Sequence, residues 1–237
     1  MMKKRKIGAV TVGQSPRTDI TADADTFFHG QVEILESGAL DSYSLEEVQS
    51  LSRPEGDYLL TSRMRDGAEV HVARSHILLN LQKCISHLEY LGAELILMFC
   101  TGELGSFCSS IPLLEPGALL RQTVPLACSS RHIITLTPSP AQADQSERRW
   151  RSWLPEFTFT SLPVSPYAVP PDFSEAIKTI SRSSDTGLVI MDCLGFSITC
   201  WYGSFRPASG SRRSRTSSGI SERLSTASRQ GGRKATS

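Results

Sequence analysis

Short apolar runs alternate with amphipathic stretches along most of this chain. The clearest run, Leu95-Ile96-Leu97-Met98-Phe99, is too brief for a helix and opens into Cys100-Thr101-Gly102-Glu103. In an α/β protein this pattern predicts a buried parallel strand that delivers a thiol to the carboxyl edge of the sheet, where ligands bind. The same grammar recurs at Leu188-Val189-Ile190-Met191-Asp192-Cys193-Leu194-Gly195-Phe196. Two strand-ending cysteines, each followed two residues later by glycine, predict two similar half-sites facing one pocket.

The other elements follow from periodicity and punctuation. Ile7 to Val12 reads as a first strand, and Ser15-Pro16 as N-cap and first residue of a helix reaching Phe28. Gln31 to Leu35 reads as a strand leaving through Ser37-Gly38-Ala39-Leu40-Asp41. Ser44 and Glu47 have capping-box spacing and open a short helix. Arg65-Asp66-Gly67 predicts a hairpin between 57–64 and 68–74. Leu78, Leu81, Ile85 and Leu88 share one face of a helix over 75–91, closed by Gly92.

Pro112 to Pro125 is a proline-punctuated connection, expected to cross from the first half to the second. Ile133 to Leu136 and Phe157 to Leu162 read as strands around a polar helix that begins at Ser139-Pro140 and runs to Trp153. Asp172 and Glu175 again have capping-box spacing, opening a helix to Ile180. Strands thus alternate with helices on both sides of the connection. This predicts an α/β fold of two similar flavodoxin-like halves, residues 1–120 and 121–203, each a parallel helix-covered sheet, with a cleft between them.

After Phe196 the pattern stops. Residues 204–237 are Ser/Arg/Gly-rich and nearly free of large apolar side chains, so they are expected to be a disordered tail. The abrupt change also leads us to expect that residues from about Ser197 onward are not the native ending of this fold, with a shifted reading frame as the simplest cause.

Composition changes the picture in two places. The formal net charge is +1, but the tail from Ser204 carries +7, leaving −6 for the rest. A mildly acidic body gives no electrostatic reason to expect a nucleic-acid partner. The basic start at Lys3-Lys4-Arg5-Lys6 is followed by too short an apolar run for a signal peptide, and no run approaches a membrane span, so a cytoplasmic location is expected. The six cysteines lack metal-ligand spacing and are expected to be free thiols.

Chemistry then centres on Cys100 and Cys193. A thiol at a strand's carboxyl end, near helix N-termini, is expected to have a lowered pKa and to act as base or nucleophile. Two such thiols on opposite sides of a carbon could remove a proton from one face and return one to the other. For any single cysteine, burial as a small hydrophobe is the commoner reason for its presence. The repeated context sets this pair apart from Cys84, Cys108, Cys128 and Cys200.

Gly13, Gln14, Ser15 and Arg17 follow the first strand and could hold a carboxylate or phosphate, although they match neither a dinucleotide fingerprint nor a P-loop. Thr101, Gly102 and Glu103 could contact a ligand or orient Cys100; Glu103 could equally cap the next element. Ser165 and Tyr167 could line a pocket or form a plain turn, and Gly195 accompanies Cys193. Asp192 is expected to point away from the thiol and be structural. His71, alternating with Val70 and Val72, is expected to face solvent.

Taken as an ordered set, Thr11 to Arg17, Glu36 to Asp41, Cys100 to Glu103, Ser165 to Tyr167 and Met191 to Phe196 resemble the AroM family. That resemblance spans about residues 7 to 197. AroM proteins look like distant relatives of the aspartate/glutamate/hydantoin racemase superfamily, in which two α/β halves enclose a site with one cysteine from each half as acid and base. It implies that Cys100 and Cys193 are that pair and that the Gly13–Arg17 loop lies on the substrate-carboxylate side. It also implies a further helix, strand and helix beyond Cys193. The superfamily's Cys-Asn-Thr is absent, since Cys100 precedes Thr-Gly-Glu. The expected function is a cofactor-independent, metal-free racemase or isomerase acting on a small carboxylate. The alternative is a non-catalytic carboxylate-binding protein with the same cleft.

Overall fold

The computed structural model describes residues 4–51 and 54–197; the expected tail and the frameshift expectation lie outside the described residues. Among the described residues the hydrophobic runs become nine strands and six helices, grouped in two parallel sheets and one antiparallel hairpin. Strands β1 (Arg5–Thr11), β2 (Val32–Gly38), β5 (Leu95–Phe99) and β6 (Leu113–Leu114) form a parallel sheet in the order β2-β1-β5-β6. Strands β7 (His132–Thr137), β8 (Thr158–Pro163) and β9 (Thr186–Met191) form a second parallel sheet in the order β8-β7-β9. In each sheet the first strand is central, the second lies on one side and the third on the other. The strand order therefore reverses beside β1 and beside β7. Crevices at such reversals, at the carboxyl ends of the strands, are where α/β sheets bind ligands. Cys100 and Cys193 follow β5 and β9 at these two reversals.

The first sheet packs on helix α3 (Arg74–Tyr90), whose buried face is Ile77, Leu81, Cys84, Ile85 and Leu88. Ile77 is buried and Leu78 only partly so, a shift of one residue in the expected stripe. The second sheet buries Trp150, Leu154, Phe159 and Ile190 in one cluster and Leu136, Val164, Phe173 and Phe196 in another. Trp150 is fully buried and stacks on Phe159, with ring centroids 5.7 Å apart. The hairpin of β3 (Leu59–Arg63) and β4 (Glu69–Ala73) turns as expected at Arg65-Asp66-Gly67, where Met64 N–H donates to Ala68 O at 2.8 Å. It also touches the second sheet's helix, because Leu59 O accepts from Gln142 and Gln145 and Leu59 N–H donates to Gln145.

Four local expectations are corrected. Helix α1 begins at Thr18, with Ile20 and Thr21 N–H both on Arg17 O. Ser15 does not cap it, because its hydroxyl is used on Asp41. Strand β2 runs on to Gly38, since its register with β1 continues through Val10↔Ser37 and Thr11↔Gly38. The Pro112–Pro125 connection is structured, forming β6 and helix α4 (Pro116–Ala127). Pro116 suits the first helical turn, and Pro125 falls in the last one. Helix α6 (Ser174–Arg182) has Phe173 at its N-cap and no side-chain cap bond; Asp172 accepts from Ser174 N–H instead of forming a box with Glu175. The capping box at Ser44 and Glu47 of α2 (Leu45–Ser50) does form. Among the described residues, no helix is long and apolar enough to cross a membrane.

Candidate active site

Each sheet delivers one thiol. Cys100 Sγ accepts the Gly102 amide at 3.3 Å, and Cys193 Sγ accepts the Gly195 amide at 3.4 Å. The same Cys-x-Gly turn thus aims one backbone N–H at each sulfur, a consequence of the repeated sequence. Both cysteines line one cavity of about 30 Å³. Tyr58, Leu60, Thr61 and Ser62 of the hairpin border it, as do Thr101 and Gly102 beside Cys100 and Tyr167, Asp192 and Gly195 beside Cys193. One face of helix α5 (Ala143–Trp153) and its preceding 3-10 turn contributes Gln142, Gln145, Ser146 and Arg149. At that volume the cavity has room for a group the size of a water molecule.

The thiols do not have the lowered pKa expected of them. Burial pushes Cys100 up to about 12, against the pull of the Gly102 amide. Burial also raises Cys193, opposed by the Gly195 amide, the Tyr167 hydroxyl and the Arg17 charge. The Tyr167 hydroxyl lies 3.6 Å from Cys193 Sγ, and its own pKa is pushed well above the ordinary value by burial and by Cys193. The strand ends supply amides to the sulfurs, but the loss of water outweighs them.

Other sequence candidates fall at varying distances from the cavity. Gly13, Gln14, Ser15 and Arg17 lie outside its lining. Gln14 bonds Leu40 O, Tyr43 O and Arg65 N–H, and Ser15 bonds Asp41 through both amide and hydroxyl. Arg17, 2% exposed, grips Asp19 through Nε and Nη2 and Thr11 through Nη1. Its guanidinium also sits 5.7 Å over the Tyr167 ring, behind the Cys193 wall. Glu103 is exposed, and its carbonyl accepts from Arg74. Ser165 bonds Glu69 of the hairpin. His71 does not simply face solvent: its Nδ1 meets the Thr61 hydroxyl at 2.9 Å and its Nε2 lies 3.3 Å from Glu69. Cys84 is buried, Cys128 half-buried and Cys108 exposed; all described cysteines are free, and Cys200 lies outside the described residues.

Sequence reasoning missed the ion pair of Arg149 and Asp192 on the cavity wall, with side chains 4% and 2% exposed. Asp192 Oδ2 accepts from Arg149 Nη2, from Ser146 Oγ at 2.8 Å and from Trp150 Nε1 at 3.0 Å. Arg149 Nη1 reaches the Tyr58 hydroxyl at 2.7 Å and Thr101 O at 3.3 Å. Burial alone would lower the guanidinium pKa, but Asp192 raises it. Asp192 lies one residue past β9, its N–H on Leu136 O at 2.8 Å, and its carboxylate turns to helix α5, while Cys193 Sγ meets Tyr167. The available signal was the polar stripe Gln142, Gln145, Ser146, Arg149 at helical spacing, bordered by Trp150 and Trp153.

Two parallel sheets with reversed strand order, each ending in a cysteine on a shared cavity, define an α/β protein with a dithiol-lined site. The family model described as AroM protein matches residues 7–200, and the chain belongs to the AroM family. Comparison with the curated proteins finds no match. Among solved structures, Picrophilus torridus aspartate racemase is similar, with a TM-score of 0.46 and 11% identity, over 84% of this chain and 86% of that one.

Proposed function

We propose that this protein is a cofactor-independent isomerase of the racemase type, acting on a small carboxylate with Cys100 and Cys193 as paired acid and base. The observation that carries the reading is that both thiols line one cavity, each from the carboxyl end of its own sheet. The Cys193 thiolate takes the proton from the carbon beside the carboxylate: the C–H bond breaks, an S–H bond forms and the electron pair moves into the carboxylate. The Cys100 thiol then gives its proton to the opposite face. The reverse reaction exchanges the roles. The assignment follows the surroundings: Tyr167, Gly195 and Arg17 all favour a Cys193 thiolate, and burial holds Cys100 protonated. Arg17 serves from behind the wall as a fixed positive charge.

A second reading, a non-catalytic carboxylate-binding protein, is favoured by one observation. Burial raises the pKa of both thiols, so neither is held as thiolate near neutral pH. Incubation in D2O with a panel of small amino and hydroxy acids separates the two. The enzyme reading expects deuterium at the α-carbon and loss of racemisation in Cys100→Ala and Cys193→Ala. Saturable binding without exchange across the panel would leave the binding protein.

A further inference from the structure

The ion pair of Arg149 and Asp192 is incompletely satisfied within a wall of the cavity. Three donors converge on Asp192 Oδ2, while Asp192 Oδ1 is buried without a hydrogen-bond partner among the described residues. Arg149 spends Nη1 and Nη2 on Tyr58, Thr101 and Asp192, while its buried Nε has no partner among the described residues. Both residues line the same cavity as Cys100 and Cys193. Leaving such groups unpaired away from water is costly, and fully satisfied buried polar groups are the rule. One spare acceptor and one spare donor thus belong to a neutralised pair whose residues line the cavity of the two thiols.

We propose that Arg149 and Asp192 are a ligand-reading pair, selecting a carboxylate whose neighbouring carbon carries a hydrogen-bond donor. Arg149 Nε–H donates to the ligand carboxylate, and Asp192 Oδ1 accepts from the adjacent donor. A 2-hydroxy or 2-amino acid satisfies both atoms; a plain carboxylate leaves Oδ1 bare. Because the pair is already neutral, the reading is by hydrogen bonds rather than by net charge. The proposal rests on the reading of the cavity as a small-carboxylate site and deepens it.

The test is calorimetric titration of the full chain with propionate, lactate and alanine, and with succinate, malate and aspartate. At least one substituted acid is expected to bind about tenfold or more tightly than its unsubstituted parent. Preference for lactate or malate identifies the donor as hydroxyl, and preference for alanine or aspartate identifies it as ammonium. In Asp192→Asn the amide oxygen takes the place of Oδ2, where three donors meet, and the NH2 replaces the spare acceptor with a donor. The ratio of affinities between substituted and parent acid is therefore expected to fall to about one, whatever both acids gain from an Arg149 no longer neutralised. If Asp192→Asn fails to fold, the ligand series on the unaltered chain decides alone. Equal affinity for substituted and plain acids overturns this inference and leaves the carboxylate site standing. No binding by any acid of the panel overturns the carboxylate site, and this inference with it.

Discussion

The loop after β1 and the loop after β9 both read in the sequence as candidate ligand loops, and they behave differently in the fold. Gly13-Gln14-Ser15-Pro16-Arg17 is polar, follows a strand and precedes a helix, as binding loops do. Its side chains are nonetheless spent internally: Gln14 ties down two carbonyls and an amide, Ser15 holds Asp41, and Arg17 holds Asp19 and Thr11. Asp192-Cys193-Leu194-Gly195 carries fewer polar groups, but it lines a cavity with a thiol and with an aspartate one of whose oxygens has no partner among the described residues. Polarity along a loop thus shows that hydrogen bonds are needed; only the fold shows which are left over for a ligand.

The largest difference between the two regions should appear when each buried arginine is removed. Arg149→Met leaves Asp192 charged and almost wholly enclosed, at a cost of about 3–5 kcal/mol. Arg17→Met should cost less, because the Asp19 side chain is 20% exposed and Arg63 lies 3.8 Å away. Urea unfolding of both variants measures the gap, and equal losses would remove the contrast.

Glycine substitutions come next. A Cβ at Gly13 would meet Arg63 O at 2.2 Å, a backbone atom that cannot step aside, so Gly13→Ala should lose about 1–3 kcal/mol. At Gly195 the obstacle is the Tyr167 ring at 2.7 Å, a side chain able to turn. Gly195→Ala should therefore be the more stable variant by thermal melting, yet the more disturbed in ligand binding at the cavity.

The thiols bring a pH dependence to the second region. The unfolded Cys100 thiol ionises near 9, while the folded one stays protonated to about 12. Its burial therefore stabilises the fold fully below pH 9, and that contribution is lost as pH rises towards 12. The slope approaches about 1.4 kcal/mol per pH unit for this group. Stability of the wild type between pH 9 and 11 should fall more steeply than that of Cys100→Ala, as urea midpoints at each pH will show. The smallest effect belongs to the first loop. Ser15→Ala removes one hydroxyl bond to Asp41, whose Oδ2 keeps the Gly38 amide, and should cost about 0.5–1.5 kcal/mol.

Both strand-end cysteines were legible because the apolar runs before them are short, bounded and repeated in form. The hairpin was legible because Asp66-Gly67 fits so few other conformations. Other features were not. Arg148, Arg149 and Arg151 all read as polar positions of one helix, and the fold turns Arg149 inward, onto Asp192, Tyr58 and Thr101. The direction of the thiol pKa was misjudged because strand-end amides can be read from a sequence, whereas desolvation depends on how closely the hairpin, α5 and Tyr167 approach the sulfurs. The start of α1 was misplaced because Asp41, distant in sequence, claims the Ser15 hydroxyl.

The central claim is that Cys100 and Cys193 work from opposite faces of one carbon. The most direct measurement is α-proton exchange in D2O followed separately for the two enantiomers of an acid that the protein binds. The wild type is expected to exchange both enantiomers. Cys100→Ser should retain exchange of one enantiomer only, and Cys193→Ser of the other. Absence of exchange in the wild type, or loss of the same enantiomer in both variants, would contradict the account.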